Sequence, residues 1–306
     1  MPESQPCRAE CTSPTCKQHA TPFEFVDGQC VLVDFDESVL EREEFKKRRG
    51  ASVIKRDPGN RSLRSRIRAM LLGTNPVASN FSSRIKDDLL AASPQPTLLV
   101  IGGGAIGSGA AALYNQGSFR VIGLDIYPSD YTTFVADAHR LPLATGSVDA
   151  VWIQAVLEHV IDPQTVVGEI HRVLKPEGLV FADTPFMQQV HEGAYDFTRF
   201  TLNGHRWLFK RFALIDAGYV GGPGTVLRWS VAYLFRAIFR SNRVGNAFKA
   251  LFFLLRYLDG FAAGRYSADA ACGVFFYGRR SDHNIGPKDV IRFYSDQTEL
   301  LGKRSW

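Results

Sequence analysis

The chain has no apolar run approaching the roughly 20 residues that a membrane span requires. Its first thirty residues are polar and cysteine-bearing, without the apolar stretch of an export signal. A soluble, cytoplasmic protein is the expectation. Cysteine is scarce and unevenly placed: Cys7, Cys11, Cys16 and Cys30 crowd the N-terminus, and Cys272 stands far from them. An odd count in a chain lacking an export signal argues against a disulfide framework. Four thiolates could close a tetrahedral zinc site, but the paired Cys-x-x-Cys knuckles of such sites are missing and Pro14 interrupts the run. No metal ligand is assigned.

Acid is lacking in two stretches. Residues 46–68 carry ten basic side chains against the single Asp57, and 226–258 contains no acid. The first reads as a solvated connector or an anion-binding surface. The second splits near 242–245 into two helical halves. In it Arg228, Arg236 and Arg240 fall within an arc of about 120° at helical pitch, leaving Leu227, Val231, Leu234, Phe235 and Ile238 to cover most of the rest. Packing on the core, lying on a lipid surface and covering a substrate site are all compatible with that pattern. The net charge of +5 permits anionic partners without demanding them.

What is present is a chain of 306 residues, 45% hydrophobic, long enough for a full core. Residues 23–35 read as a small hairpin turning at Asp27-Gly28, and helical patterns follow over 37–49, 63–72 and 81–92, the last two separated by Gly73, Asn75 and Pro76. From Thr97 apolar strands alternate with helical segments: 97–101, 121–125, 132–137, 148–153 and 178–184, with a helix over 164–174 and two late strands over 212–218 and 272–280. Such βαβ repetition predicts a parallel sheet with helices on both faces. The expected organisation is a cysteine-bearing hairpin segment (1–45), a basic helical leader (46–94), a core (95–225 and 266–306) and a helical insertion (226–265).

The stretch TLLVIGGGAIGSG (97–109) is where this core meets chemistry. A buried strand runs into Gly102, Gly104 and Gly107, a GxGxxG turn that lets a ligand approach backbone where a Cβ would clash, and a helix is expected over 110–116. Asp125 ends the next strand, VIGLD, where a carboxylate can accept the hydroxyls of a ribose. These two features alone fit either NAD or S-adenosylmethionine.

Two further segments discriminate. ADAHRLPLATGSVDAVWIQAVLEHVIDP (136–163) and EIHRVLKPEGLVFADTP (169–185) resemble, in order and spacing, the class I S-adenosylmethionine-dependent methyltransferases over roughly 95–220 plus the strand near 275. The resemblance implies an α/β, Rossmann-like, doubly wound and mostly parallel seven-stranded sheet, S-adenosylmethionine as cofactor, and methyl transfer as activity. It places Gly102, Gly104, Gly107, Asp125, Ile126, Asp137, Ala138 and Gln154 around the cofactor, with Asp137 toward the adenine amine and Ala138 toward a ring nitrogen. His159 is the candidate base. The segment 185–209 resembles a substrate-side element of bacterial members and gathers His191, Tyr195, Asp196, Arg199 and His205 among aromatic rings; His191, Tyr195 and Arg199 are the candidate substrate contacts. One departure stands out: Val100 occupies the place, two before the first glycine, where the family carries an acid that helps hold the methionine ammonium. The loop is also lengthened by Ala105-Ile106. The acceptor is expected to be a small molecule or a glycan hydroxyl. The rivals are an RNA methyltransferase, an NAD-dependent oxidoreductase, and a non-catalytic cofactor-binding scaffold docking on a partner or a membrane surface.

Overall fold

The computed structural model describes residues 24–48, 75–114, 119–262 and 264–301. Cys7, Cys11, Cys16, the helix expected over 63–72, nearly all of the basic run and the end of the helix expected over 110–116 lie outside the described residues. Of that last helix, a 3-10 turn at Ala110–Tyr114 is described.

The hairpin forms as β1 (Glu24–Val26) and β2 (Gln29–Val31), joined through Asp27 and Gly28, both at positive φ. The core strands are β3 (Thr97–Ile101), β4 (Arg120–Asp125), β5 (Phe134–Val135), β6 (Val148–Gln154) and β7 (Leu174–Pro185), all parallel to their neighbours in this set. β8 (Phe212–Val220) and β9 (Gly273–Arg280) complete the sheet, β9 lying antiparallel between β7 and β8. The order is β1-β2-β5-β4-β3-β6-β7-β9-β8. This is a mixed α/β, Rossmann-like sheet, mostly parallel as expected, but with nine strands instead of seven.

The two extra strands are the hairpin. β2 pairs parallel with β5 through Cys30 and Val31, and the Leu32 amide donates to the Val135 carbonyl at 2.7 Å. A free two-stranded hairpin is marginally stable in water, and a short open sheet edge invites mispairing. Docking one on the other supports the hairpin and moves the open edge outward to the three-residue β1, and it buries Val31, Val33, Leu40, Phe45 and Val135 in one cluster. Phe45 comes from α1 (Arg42–Lys47).

Helices cover both faces. On one, α2 (Pro76–Ala92) lays Val77, Phe81, Ile85 and Leu89 on β3, β6 and β9; Phe81 meets the rings of Phe181, Phe275 and Tyr277 at centroid distances of 5.3, 4.9 and 5.2 Å. The residues expected to separate two helices instead begin this one: Asn75 caps it by accepting from the Ala78 amide, and Pro76 takes the first position, where no amide hydrogen is needed. On the other face, α3 (Pro163–Val173), capped by Asp162 on the amides of Gln164 and Thr165, buries Val166, Val167, Ile170 and Val173 against Leu99, Val151 and Ile153. α4 (Leu202–Leu208) is capped by Thr201.

The insertion comprises α5 (Pro223–Phe239), α6 (Asn242–Leu251) and a 3-10 stretch, Phe253–Gly260, before α7 (Gly264–Asp269), β9 and the final α8 (Pro287–Leu301). Its break falls at Arg240 and Ser241, just before the expected 242–245, with Arg240 in the left-handed region. The helix faces depart in part from the amphipathic expectation, although Phe235 stacks on Phe248 of α6 at 3.5 Å and Arg240 stays exposed. Arg228 is 2% exposed and donates from Nε to the Lys249 carbonyl, while Leu227, Leu234 and Ile238 are 49–60% exposed. Small residues cause this: a Cβ at Gly245 would lie 2.1 Å from Arg236 Cγ, so α6 approaches α5 along the arginine stems. No described helix is long and apolar enough to cross a membrane.

Candidate functional site

A cavity of about 1250 Å³ opens at the C-terminal ends of β3, β4, β5, β6 and β7, the place where open parallel sheets bind ligands. Each strand contributes its terminal residues. β3 supplies Ile101 and then Gly102, whose φ of +76° suits glycine and whose Cβ, if present, would sit 2.2 Å from a Val156 methyl. Ala105, Ile106, Gly107 and Ser108 continue the rim.

Asp125 at the end of β4 is 7% exposed; its two oxygens accept from the Gly104 amide at 2.8 Å and the Ile126 amide at 2.7 Å. It pairs in register with Val135 of β5, and Asp137 follows two residues on. Asp137 accepts from the His139 amide (3.0 Å), the His139 Nδ1 (2.6 Å) and the Ser38 hydroxyl (2.5 Å). Burial works against its ionisation, but the hydrogen bonds from His139 and Ser38 win and hold its carboxyl below the usual range. The same contact raises the His139 imidazole above its ordinary value. Asp125, Ile126, Asp137 and Ala138 all line the cavity.

Gln154, ending β6, lies beside Asp183, near the end of β7. Its amide donates to the Ser108 carbonyl at 3.1 Å and to Asp183 at 3.5 Å, and Asn75 donates to the same Asp183 oxygen at 2.7 Å. Burial pushes the Asp183 carboxyl up to about 6. Asp183, the acid within FADTP, is not among the candidate site residues of the sequence; an acid in an otherwise apolar central strand is its signal.

Glu158 is the second residue so overlooked. Although it is 1% exposed, neither carboxylate oxygen has a hydrogen-bond partner, and burial pushes the carboxyl up to about 8. Its Oε1 is 3.5 Å from His159 Nε2 and 3.9 Å from His191 Nε2. His159 Nδ1 lies 2.7 Å from the Tyr195 carbonyl, which can only accept, so Nδ1 carries the hydrogen and the Nε2 lone pair faces Glu158. Burial lowers the His159 imidazole below its ordinary value, keeping it neutral at pH 7. His159, His191 and Tyr195 all line the cavity, as do Trp229, Arg256 and Tyr257 from the insertion.

Three residues singled out in the sequence do not border the cavity. Gly104 does not line the cavity; its amide is committed to Asp125, and a Cβ there would strike the Tyr127 ring at 2.4 Å. Arg199 does not line it either: its guanidinium forks onto Asp196 and onto the carbonyls of Gln188 and Gln189, so it pins the 188–199 segment from within. His205 is 1% exposed between the Phe200 and Phe209 rings, away from the cavity.

The site thus combines a Rossmann-like sheet, a glycine turn after its first core strand, and carboxylates at or just beyond the next two strand ends. Residues 99–182 match the family model described as "Methyltransferase domain". Among curated relatives, a malonyl-[acyl-carrier protein] O-methyltransferase of Methylovorus sp. (strain MP688) is 49% identical over 49 residues, which is 16% of this chain and 17% of that protein. The ubiquinone/menaquinone biosynthesis C-methyltransferase UbiE of Desulfotalea psychrophila is 30% identical over 109 residues, 35% of this chain and 43% of that one. The chain thus covers well under half the length of these relatives. Among solved structures, a putative sarcosine dimethylglycine methyltransferase from Galdieria sulphuraria aligns with 79% of this chain and 98% of its own, at 18% identity and a TM-score of 0.45.

Proposed function

We propose that the chain binds S-adenosylmethionine in this cavity and directs its methyl group to a hydroxyl of a small-molecule or glycan acceptor. The observation that carries the reading is the pair Asp125 and Asp137 at adjacent strand ends, both bordering the cavity beside the glycine turn. Asp125 would hold the ribose hydroxyls and Asp137 the adenine amine, with Ile126 and Ala138 flanking them. Gln154 and the rim at Gly107 would border the methionine end.

When bound, the cofactor supplies a methyl already activated by its sulfonium. What remains for the chain is to bind, orient and exclude water. Val100 leaves the methionine ammonium without its usual acid. Asp183 takes that part in this reading, because Gln154 and Asn75 tie it to the glycine rim through Ser108, whose hydroxyl accepts from the Asn75 amide at 3.1 Å. The segment 188–199, locked by Arg199 on Asp196, presents His191 and Tyr195 on the acceptor side, and the insertion walls that side with Trp229 and Tyr257. Calorimetric titration with S-adenosylmethionine and S-adenosylhomocysteine tests the reading. Saturable one-to-one binding of both is expected; folded protein that binds neither overturns it.

A further inference from the structure

We propose that Glu158, His159 and His191 form a divalent-metal site that receives the acceptor hydroxyl. This rests on the methyl-transfer reading for the use of the ion, but the site itself stands on geometry. One ligand atom from each of the three residues lies within 4.8 Å of the others. The spacings of 3.5 Å and 3.9 Å from Glu158 Oε1 to the two Nε2 atoms are too long for hydrogen bonds. They suit two ligands on one ion, since bonds of about 2.0–2.2 Å at near-tetrahedral angles set ligand atoms roughly 3.3–3.5 Å apart. The longer spacing closes with a small turn of the His191 ring, whose side chain is 26% exposed.

The outer contacts of the histidines also match what metal ligands need. His159 is oriented by its Nδ1 on the Tyr195 carbonyl at 2.7 Å, and His191 Nδ1 lies 3.3 Å from the Asp196 carboxylate. His159 is thereby held through Nδ1 by a backbone carbonyl, and His191 Nδ1 sits between the Asp196 carboxylate and the Gln189 carbonyl at 3.4 Å, which leaves each Nε2 on the Glu158 side. Arg199 in turn holds Asp196. Glu158 supplies the independent pointer: a carboxylate 1% exposed, with both oxygens unpartnered, facing this pair of imidazoles. Burying such a group without a partner is costly, and a cation between it and the imidazoles removes the cost.

Two imidazoles and one carboxylate suit zinc, iron, cobalt or manganese, with coordination positions left open toward the cavity. An acceptor hydroxyl bound at an open position becomes more acidic and releases its proton to water. The oxygen lone pair then forms the C–O bond to the sulfonium methyl as the C–S bond breaks, leaving the methyl ether and S-adenosylhomocysteine.

The test is titration of the metal-stripped full-length chain with Co²⁺, read by visible absorption. One ion per chain is expected with a nitrogen/oxygen d–d spectrum and no sulfur-to-metal charge-transfer band, which separates this site from any at the N-terminal cysteines. His191→Ala, at a partly exposed position, should keep the wild-type thermal transition and lose at least tenfold in Co²⁺ affinity; Glu158→Gln should do the same if folded. A folded wild-type chain with no such spectrum, or a His191→Ala chain with unchanged affinity, overturns the site. Titration with S-adenosylhomocysteine on the same samples reports separately on the methyl-transfer reading.

Discussion

Gln154 and Asp183 stand side by side at the ends of β6 and β7, and the Gln154 amide bridges the Asp183 carboxylate to the Ser108 carbonyl on the glycine rim. That bridge gives the cavity a buried acid close to the glycine loop, which Val100 leaves without an acid of its own. If Asp183 pairs with the ammonium of the cofactor, its ionisation controls affinity. Its carboxyl sits near 6, so binding is full above that pH and weakens as pH falls through it. Asp183→Asn should lower S-adenosylhomocysteine affinity at least tenfold at pH 7 and flatten the profile between pH 5 and 7. Isothermal titration across that range checks both.

Asp125 borders the cavity and also serves structure. It satisfies the buried amides of Gly104 and Ile126, so Asp125→Ala should cost about 1–3 kcal/mol of stability by leaving donors unpaired. Denaturant unfolding measures that loss, and cofactor titration on the folded variant should show binding weakened at least tenfold.

Arg199 is a brace here, in contact with Asp196 and with main-chain carbonyls. Arg199→Ala should leave S-adenosylhomocysteine affinity within about twofold while loosening 188–199. Limited proteolysis is the measurement: faster cleavage in that segment is expected, and an unchanged digestion pattern would remove the brace role.

Phe81 ties α2 to the sheet through Phe181, Phe275 and Tyr277. Phe81→Ala should cost about 3–5 kcal/mol, as for other buried phenylalanines. A loss below about 1 kcal/mol in chemical denaturation would show α2 to be a loosely attached leader.

His205 is buried as the neutral imidazole, its value pushed down to about 3 by burial. The unfolded chain takes up a proton near 6.5 that the folded chain refuses, so the unfolded state holds more protons between about 3 and 6.5. Stability therefore rises with pH through that window and levels off above it. The slope from this one group is at most about 1.4 kcal/mol per pH unit. Asp183, with its carboxyl raised, acts in the opposite sense between its ordinary value and about 6. His205→Gln should reduce the steepness of melting temperature against pH in the acid range; thermal scans at successive pH values reveal it.

Much of this was legible in the sequence because it is local. The glycine turn, the Asp27-Gly28 turn and the carboxylates Asp125 and Asp137 at or just beyond strand ends each depend on residues a few positions apart. What could not be read depends on partners far along the chain. Periodicity shows that Glu158 and Asp183 sit in apolar surroundings, but not that His191 or Asn75 comes to meet them. The same limit applies to Arg199 and His205: aromatic neighbours suggested a binding mouth, whereas Asp196 and the Phe200 and Phe209 rings had claimed both side chains. In the insertion, periodicity does not show that Arg228 is buried while Leu227, Leu234 and Ile238 are exposed: Ala232 and Gly245 let two backbones come close, with the Arg236 stem between them. The hairpin was read correctly as a hairpin; that it would extend the sheet followed from an unsatisfied edge at β5, which no local pattern displays.

The hydroxyl of Ser38 on Asp137 joins residues 99 positions apart. The part of the cavity wall around Asp137 is thus completed by chain that lies outside the span 99–182 that matches the methyltransferase-domain model. A fragment trimmed to that span would keep the glycine turn yet leave one flank open to solvent, so the working unit for ligand studies has to start ahead of the hairpin.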